Sequence, residues 1–325
     1  MVTIARGAAG IPGCLIGSDV LDLQCAAQVL AGGAPIPVTV AEILTDGSGG
    51  LDAARALFER VGTASADIVG RLRDIGALTA LADTALLAPL PSPRLILSHG
   101  QAFHAHRRDF HKDAKPEPPK NPPAGFIKGQ NSIVGPGADI VLPKVASEKV
   151  DYEGELCVVF SRHCSNVVRA DAMNYVAGYT IINDVSARDW IPQMRDPATG
   201  MMTAFHALNL MYKNFPSFCP MGPNVTTADE IADHQALRLV TRLNGEVMQD
   251  AVMADLIWGI PELIEYYSAR MEFHPGDIMS TGTPGGVGFG RTPPVFMREG
   301  DVISVSVDGI GTLENRIVAP PAGAA

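Results

Sequence analysis

Apolar and polar positions divide the chain into two stretches with different periodicities. Over roughly the first 90 residues, short apolar runs alternate with helix-like stretches such as "SADIVGRLRDIGALTALADTALL", where apolar residues recur every three to four positions. From Ile140 onward the period shortens to two. The runs "DIVLP", "GELCVVFS", "VAGYTIIND", "LRLVTRLNGEVMQ", "GDIMSTGTP" and "GDVISVSVDGIGTLENRIV" read as strands bounded by turn residues. One clear helix interrupts them, "DLIWGIPELIEYYSAR", with Leu256, Ile260, Leu263, Ile264 and Tyr267 at helical spacing, a packing stripe. The pattern predicts a mainly β body with peripheral helices.

The Pro cluster in "APLPSPRLILSHG" marks the expected boundary between a small N-terminal α/β domain, residues 1–92, and a larger one, residues 93–325. After the strand "RLILS" comes "HGQAFHAHRRDFHKDAKPEPPKNPPAGF", polar, Pro-rich and too long for a tight connection. Long segments of that kind often serve as lids or binding loops.

The strand "KVDYEGELCVVF" carries Glu153 and Glu155 with only Gly154 between them. Residues two apart on a strand share a face, so the two carboxylates lie side by side. Burying them costs several kcal/mol unless they are paired or bound to a cation. A hard divalent ion meets that need. Asp184, at the end of the apolar "TIIND", is placed to complete three oxygen ligands, which favours magnesium or manganese over zinc. Without an ion the acids are expected mainly to repel one another, so Glu153→Gln or Asp184→Asn should lose metal affinity with the fold intact.

Composition narrows the class. Hydrophobic residues form 46% of the 325 and charged residues 18%, as in a folded globular protein. The net charge of −10 opposes phosphate backbones, and no basic block overrides it, so nucleic acid is not an expected partner. No apolar run is long enough for a membrane span. The start "MVTIARGAAG" lacks a basic stretch followed by an apolar one, so a cytoplasmic address is expected. Five cysteines without C-x-x-C spacing read as apolar thiols rather than a disulfide framework or zinc site.

Taken together, "VDYEGELCVVF", "YVAGYTIINDVSARD", "CPMGP", "LNGEVMQ", "HPGDIMSTGTPGGVG" and "GDVISVSVDGIGTLENRI" resemble, in order, the motifs of the fumarylacetoacetate hydrolase family. The resemblance covers roughly Arg94 to Val318. It implies a β-roll body whose mouth holds Mg²⁺ or Mn²⁺ on Glu153, Glu155 and Asp184. Family members commonly dimerise and act on 2-oxo acids and 1,3-diketones, so a homodimer with a small oxo-acid substrate is expected. A divalent ion can chelate the oxygens of an acylpyruvate and stabilise the carbanion that leaves when a carbon–carbon bond breaks.

The resemblance also implies a water-activating His with an acid three residues on. "FHAHRRDF" offers His106 and Asp109, which share a face if the segment is helical. Asp stands where many hydrolysing members carry Glu, and three more histidines, His99, His104 and His111, lie in the same segment. Lys128 matches a position near the metal and its water. Lys213, Arg188 and Thr283 match positions that meet the substrate. Ile191 stands where a Gln is frequent and, with the Met- and aromatic-rich segment after it, suggests a roomier apolar pocket. The leading expectation is a hydrolase of diketo acids. The alternatives are a decarboxylase, isomerase or hydratase on the same chelate, or a relative that binds metal without catalysis. The glycine loop "TGTPGGVG" lacks the spacing and helical context of a dinucleotide site.

Overall fold

A computed structural model describes residues 1–30, 34–110, 122–189 and 210–320, the side chains of residues 109 and 110 excepted. Near the N-terminus, five antiparallel strands are ordered Leu78–Ala80, Asp19–Asp22, Ile11–Ile16, Val2–Ile4 and Leu86–Leu87. The helices Leu23–Val29, Gly50–Gly62 and Ala66–Asp74 send Leu23, Leu57 and Leu72 into a core with Leu21 and Leu78.

The helical pattern expected through residue 87 stops at Asp74. Gly76 adopts φ +69°, and the N–H groups of Gly76 and Ala77 cap the carbonyls of Arg73 and Leu72 at 2.9 and 2.8 Å. This left-handed closure lets glycine end the helix and turn the next apolar residues into strand.

The body is built on two curled sheets with helices at the periphery and a short ladder pairing Val150–Asp151 with Ser186–Ala187. The first has seven strands, ordered Ala124–Ile127, Ile96–Gly100, Ile278–Ser280, Gly154–Phe160, Val176–Asn183, Cys219–Thr227 and Ile133–Val134. The second has five, ordered Glu246–Val252, Arg238–Leu243, Val302–Val307, Gly311–Val318 and Ile140–Val141. The predicted mainly β architecture is therefore what the chain forms. The expected helix near residue 256 starts later, at Ile260–Ser268, because Pro261 sits in its first turn, where a missing N–H is harmless. No helix of the described residues is long and apolar enough to cross a membrane.

Every residue of Gly154–Phe160 is buried. Leu156, Val158 and Phe160 face the second sheet with Leu239, Val305 and Leu313. Cys157 and Val159 face the opposite way, against Ile182, Met221 and Ile278. Strand alternation puts Glu153 and Glu155 on that second face, at the end where its apolar cover gives way to polar residues.

Candidate metal centre

The register of two strands builds the site. Gly154 pairs with Asn183 and Glu155 with Ile182, and one step further the N–H of Asp184 donates to the carbonyl of Glu153 at 2.8 Å. Cross-strand partners share a face, so Asp184 joins Glu153 and Glu155. A ligand atom from each of the three lies within 4.8 Å of the others, and all three residues are buried.

Gly154 makes this packing possible. A Cβ there would lie 2.3 Å from Thr241 Oγ1 and 2.8 Å from a Val305 methyl, so the second sheet approaches the E-G-E segment at backbone distance. Its polar groups are held by side chains. Asn183 Oδ1 accepts from Glu153 N at 2.9 Å, Gln249 Oε1 accepts from Gly154 N at 3.0 Å, and Thr283 Oγ donates to the Gly154 carbonyl at 3.1 Å.

Three cations converge on the acids. Lys213 Nζ donates to Glu153 Oε2 at 2.7 Å, Asp184 Oδ2 at 2.6 Å and Ser186 Oγ at 2.8 Å, and it lies 4.9 Å from the Phe126 ring centre. Lys128 Nζ donates to Asp184 Oδ1 at 2.6 Å. Arg188 bridges Glu153 and Asp151, the latter at 3.1 Å. Asp151 in turn accepts from the N–H groups of Gly288 and Phe289 at 2.8 and 3.2 Å, tying Arg188 to the glycine loop.

These contacts split the behaviour of the two glutamates. Burial raises the proton affinity of Glu153, but the charges of Lys213, Arg188 and His106 outweigh it and hold the carboxyl well below its usual range. Glu155 is pushed well above its usual value by burial and by the charges of Asp184 and Glu153; its carboxylate accepts from the Ser280 hydroxyl. Lys213 stays strongly protonated: burial opposes its charge, and Asp184 and Glu153 more than offset that. The expectation that the acids mainly repel each other is therefore corrected, because Glu153 and Asp184 are already ion-paired.

A hard divalent cation fits this donor set. The ligands are all carboxylate oxygens on one buried face, and Glu155 gains most from a cation that favours its ionised form.

His106 lies on the helix His104–Phe110, is buried, and is near enough for its charge to act on Glu153. Asp109 belongs to the same helix, but its side chain lies outside the described residues, as do Ile191 and His111. Thr283 is buried, with its hydroxyl donating to Gly154 and accepting from Gln249 Nε2 at 2.7 Å. His99 bonds Tyr267 Oη through Nδ1 at 2.8 Å. Asn183, Ser186, Gln249, Ser280 and Asp151 were not singled out from sequence, although Gln249 closes the motif "LNGEVMQ" and Asn183 and Ser186 flank Asp184.

The described arrangement coincides with a family match. The domain "Fumarylacetoacetate (FAA) hydrolase C-terminal" matches residues 95–318. The chain belongs to the fumarylacetoacetate hydrolase family. Among curated members of the family, it is 34% identical over 299 residues to oxaloacetate tautomerase YisK of Bacillus subtilis, covering 92% of each chain. It is 36% identical over 236 residues to the mitochondrial oxaloacetate tautomerase FAHD2A of Homo sapiens, covering 73% of this chain and 70% of that one. A solved family structure, maleylpyruvate hydrolase from Sphingobium sp. SYK-6 in complex with manganese(II) and pyruvate, is 28% identical with a TM-score of 0.68, covering 98% of this chain and 100% of that one.

Proposed function

We propose that the chain interconverts the keto and enol forms of a small 2-oxo dicarboxylic acid of the oxaloacetate type. The cation would be Mg²⁺ or Mn²⁺, held by Glu153, Glu155 and Asp184. The observation that carries this reading is the convergence of three buried carboxylates with Lys213, Arg188 and His106. The two tautomerases similar to this chain support it.

A bound divalent ion supplies Lewis-acid polarisation of the 2-oxo group and charge stabilisation of the enolate. The chain's own residues do the rest. The His106 imidazole takes the proton from C3 and, as imidazolium, delivers it to the enolate oxygen, the reverse steps regenerating the ketone; this is the acid–base role for which His is suited near neutral pH. Lys213 and Arg188 provide positive charge for an anionic substrate. Lys128 fixes the orientation of Asp184, and the Thr283 hydroxyl pins the glycine loop to the E-G-E backbone. A proton leaves carbon and one arrives on oxygen, so no co-reactant is consumed.

A second reading is the hydrolysis of a carbon–carbon bond in an acylpyruvate, with His106 activating water. The maleylpyruvate hydrolase structure favours it; the two reactions share the carboxylates and the cationic side chains and differ in whether His106 takes its proton from C3 or from water.

Following the enol absorbance of oxaloacetate with enzyme and Mg²⁺, after chelation, and after metal add-back tests the proposal. The expected result is a metal-restored acceleration toward the keto–enol equilibrium with no new product. An unaccelerated approach with metal bound overturns it. Formation of two acids from acylpyruvates in stoichiometric amounts would instead establish hydrolysis.

A further inference from the structure

We propose a second metal site, for a borderline transition ion of the Zn²⁺ or Cu²⁺ type, formed by His163, Glu272 and His274 on the surface of the body. The backbone brings these residues together. Cys164 and Phe273 form an antiparallel bridge, with N–H···O bonds of 2.9 and 3.0 Å in both directions. Cys164 and Phe273 are buried, and Phe273 stacks on Phe160 with ring centres 4.2 Å apart. One step out from that pair, His163 stands opposite His274. Glu272 lies two residues from His274 and so shares its face. Alternation therefore turns all three side chains outward from an anchored bridge.

Their geometry matches the ligand set. Both imidazole Nε2 atoms face one oxygen, Glu272 Oε2, at 3.4 Å from His163 and 3.9 Å from His274. The ring centres are 5.0 Å apart. A tetrahedral ion with bonds near 2.0–2.1 Å needs ligand atoms about 3.3 Å apart, so the first pair already fits and the second closes by rotation. The side chains are 54%, 59% and 43% exposed, free to make that adjustment and open to a water as fourth ligand. Two imidazoles and one carboxylate suit Zn²⁺ or Cu²⁺, whereas Mg²⁺ prefers oxygen alone.

The backbone is braced independently of the ligands. Asp277 accepts from His274 N and Leu95 N at 2.8 Å each, and Arg94 donates to the Glu272 carbonyl at 2.7 Å. The neighbouring arginines have other partners: Arg162 pairs with Asp46 at 2.9 Å and Arg94 with Asp277 at 3.1 Å. About 17 Å of strand, at ~3.3 Å per residue, separates Glu155 from Phe160 on the way to this site, so the two centres fill separately.

The test uses the full chain with Mg²⁺ in excess. Cu²⁺ is added to one equivalent and its paramagnetic resonance spectrum recorded, and Zn²⁺ is titrated calorimetrically. A Cu²⁺ spectrum with coupling to two imidazole nitrogens is expected. In His163→Ala and in His274→Ala that coupling drops to one nitrogen and Zn²⁺ affinity falls roughly tenfold or more, while Mg²⁺-dependent turnover and the unfolding temperature stay at wild-type values. A wild-type spectrum without nitrogen coupling, or equal Zn²⁺ affinity in His163→Ala, overturns the proposal. Where an alanine variant misfolds, His163→Gln or His274→Gln carries the same comparison.

Discussion

Glu153 and Asp184 face each other across two antiparallel strands, joined by a backbone bond of 2.8 Å and by the Lys213 ammonium at 2.7 and 2.6 Å. A lysine and a divalent cation thus draw on the same carboxylates. In Lys213→Met the two acids lose their common partner while remaining buried, which costs about 3 kcal/mol. Urea unfolding in chelator should register that loss. Addition of Mg²⁺ should then stabilise Lys213→Met more than wild type, because the ion restores the missing positive charge. An equal gain in the two proteins contradicts the shared use of these oxygens.

The two glutamates of the E-G-E segment should differ in how much stability the same substitution costs. Burial and the charges of Asp184 and Glu153 push Glu155 upward, so its carboxyl favours the neutral form, and Gln is its close isostere. In chelator Glu155→Gln should keep its stability within about 0.5 kcal/mol. Glu153→Gln removes the ion-pair partner of Lys213 and Arg188 and should cost about 3 kcal/mol. Both should bind Mn²⁺ at least about tenfold more weakly. Denaturation and calorimetry on the same preparations separate the two effects, and equal destabilisation contradicts the difference in their charge states.

Much of this site was legible in the chain. Alternation in "EGELCVVF" put Glu153 and Glu155 on one face, and the end of a second apolar strand supplied Asp184. What sequence could not give was the register, which places Asp184 beside Glu153, nor the fact that Lys213 reaches back 60 residues to bind both. Because of that pairing, removing Glu153 is expected to cost stability as well as metal affinity. The His163 and His274 pair has no local signature for the same reason: 111 positions separate them in the numbering, and the Cys164–Phe273 bridge brings them together. Helix limits depart from the apolar pattern where a single backbone feature decides, Gly76 at one helix end and Pro261 at another helix start.

Gly154 is expected to tolerate no side chain. In Gly154→Ala the new Cβ meets Thr241 Oγ1 at 2.3 Å and two Val305 methyls at 2.8 and 3.2 Å, so the strand must move away from the second sheet. Such overpacking costs about 1–3 kcal/mol, and the shift carries the flanking glutamates with it. The unfolding temperature and Mn²⁺ affinity should fall together. Adding Thr241→Ala removes the nearest clashing atom and should recover part of both losses. A double variant no better than the single one would show that the contact with Thr241 is not the cause.

His99 should make stability depend on pH. The ring is 1% exposed, bonded to Tyr267 Oη at 2.8 Å, with the Trp258 ring centre 5.4 Å away. Burial pushes its pKa down to about 4, against a smaller opposing effect of the Ala124 backbone. In the unfolded chain the value returns to about 6.5. Between those limits the unfolded chain binds a proton that the folded one refuses, so stability rises with pH. The contribution is complete above about 6.5 and lost as pH falls through about 4, amounting to about 3 kcal/mol at most. Urea unfolding of wild type and His99→Gln between these limits isolates it, because the other titrating groups are common to both. The stability difference between the two proteins should be constant at the neutral end and shift against wild type by up to that amount toward the acid end. A difference independent of pH would show that His99 already accepts its proton in the folded state.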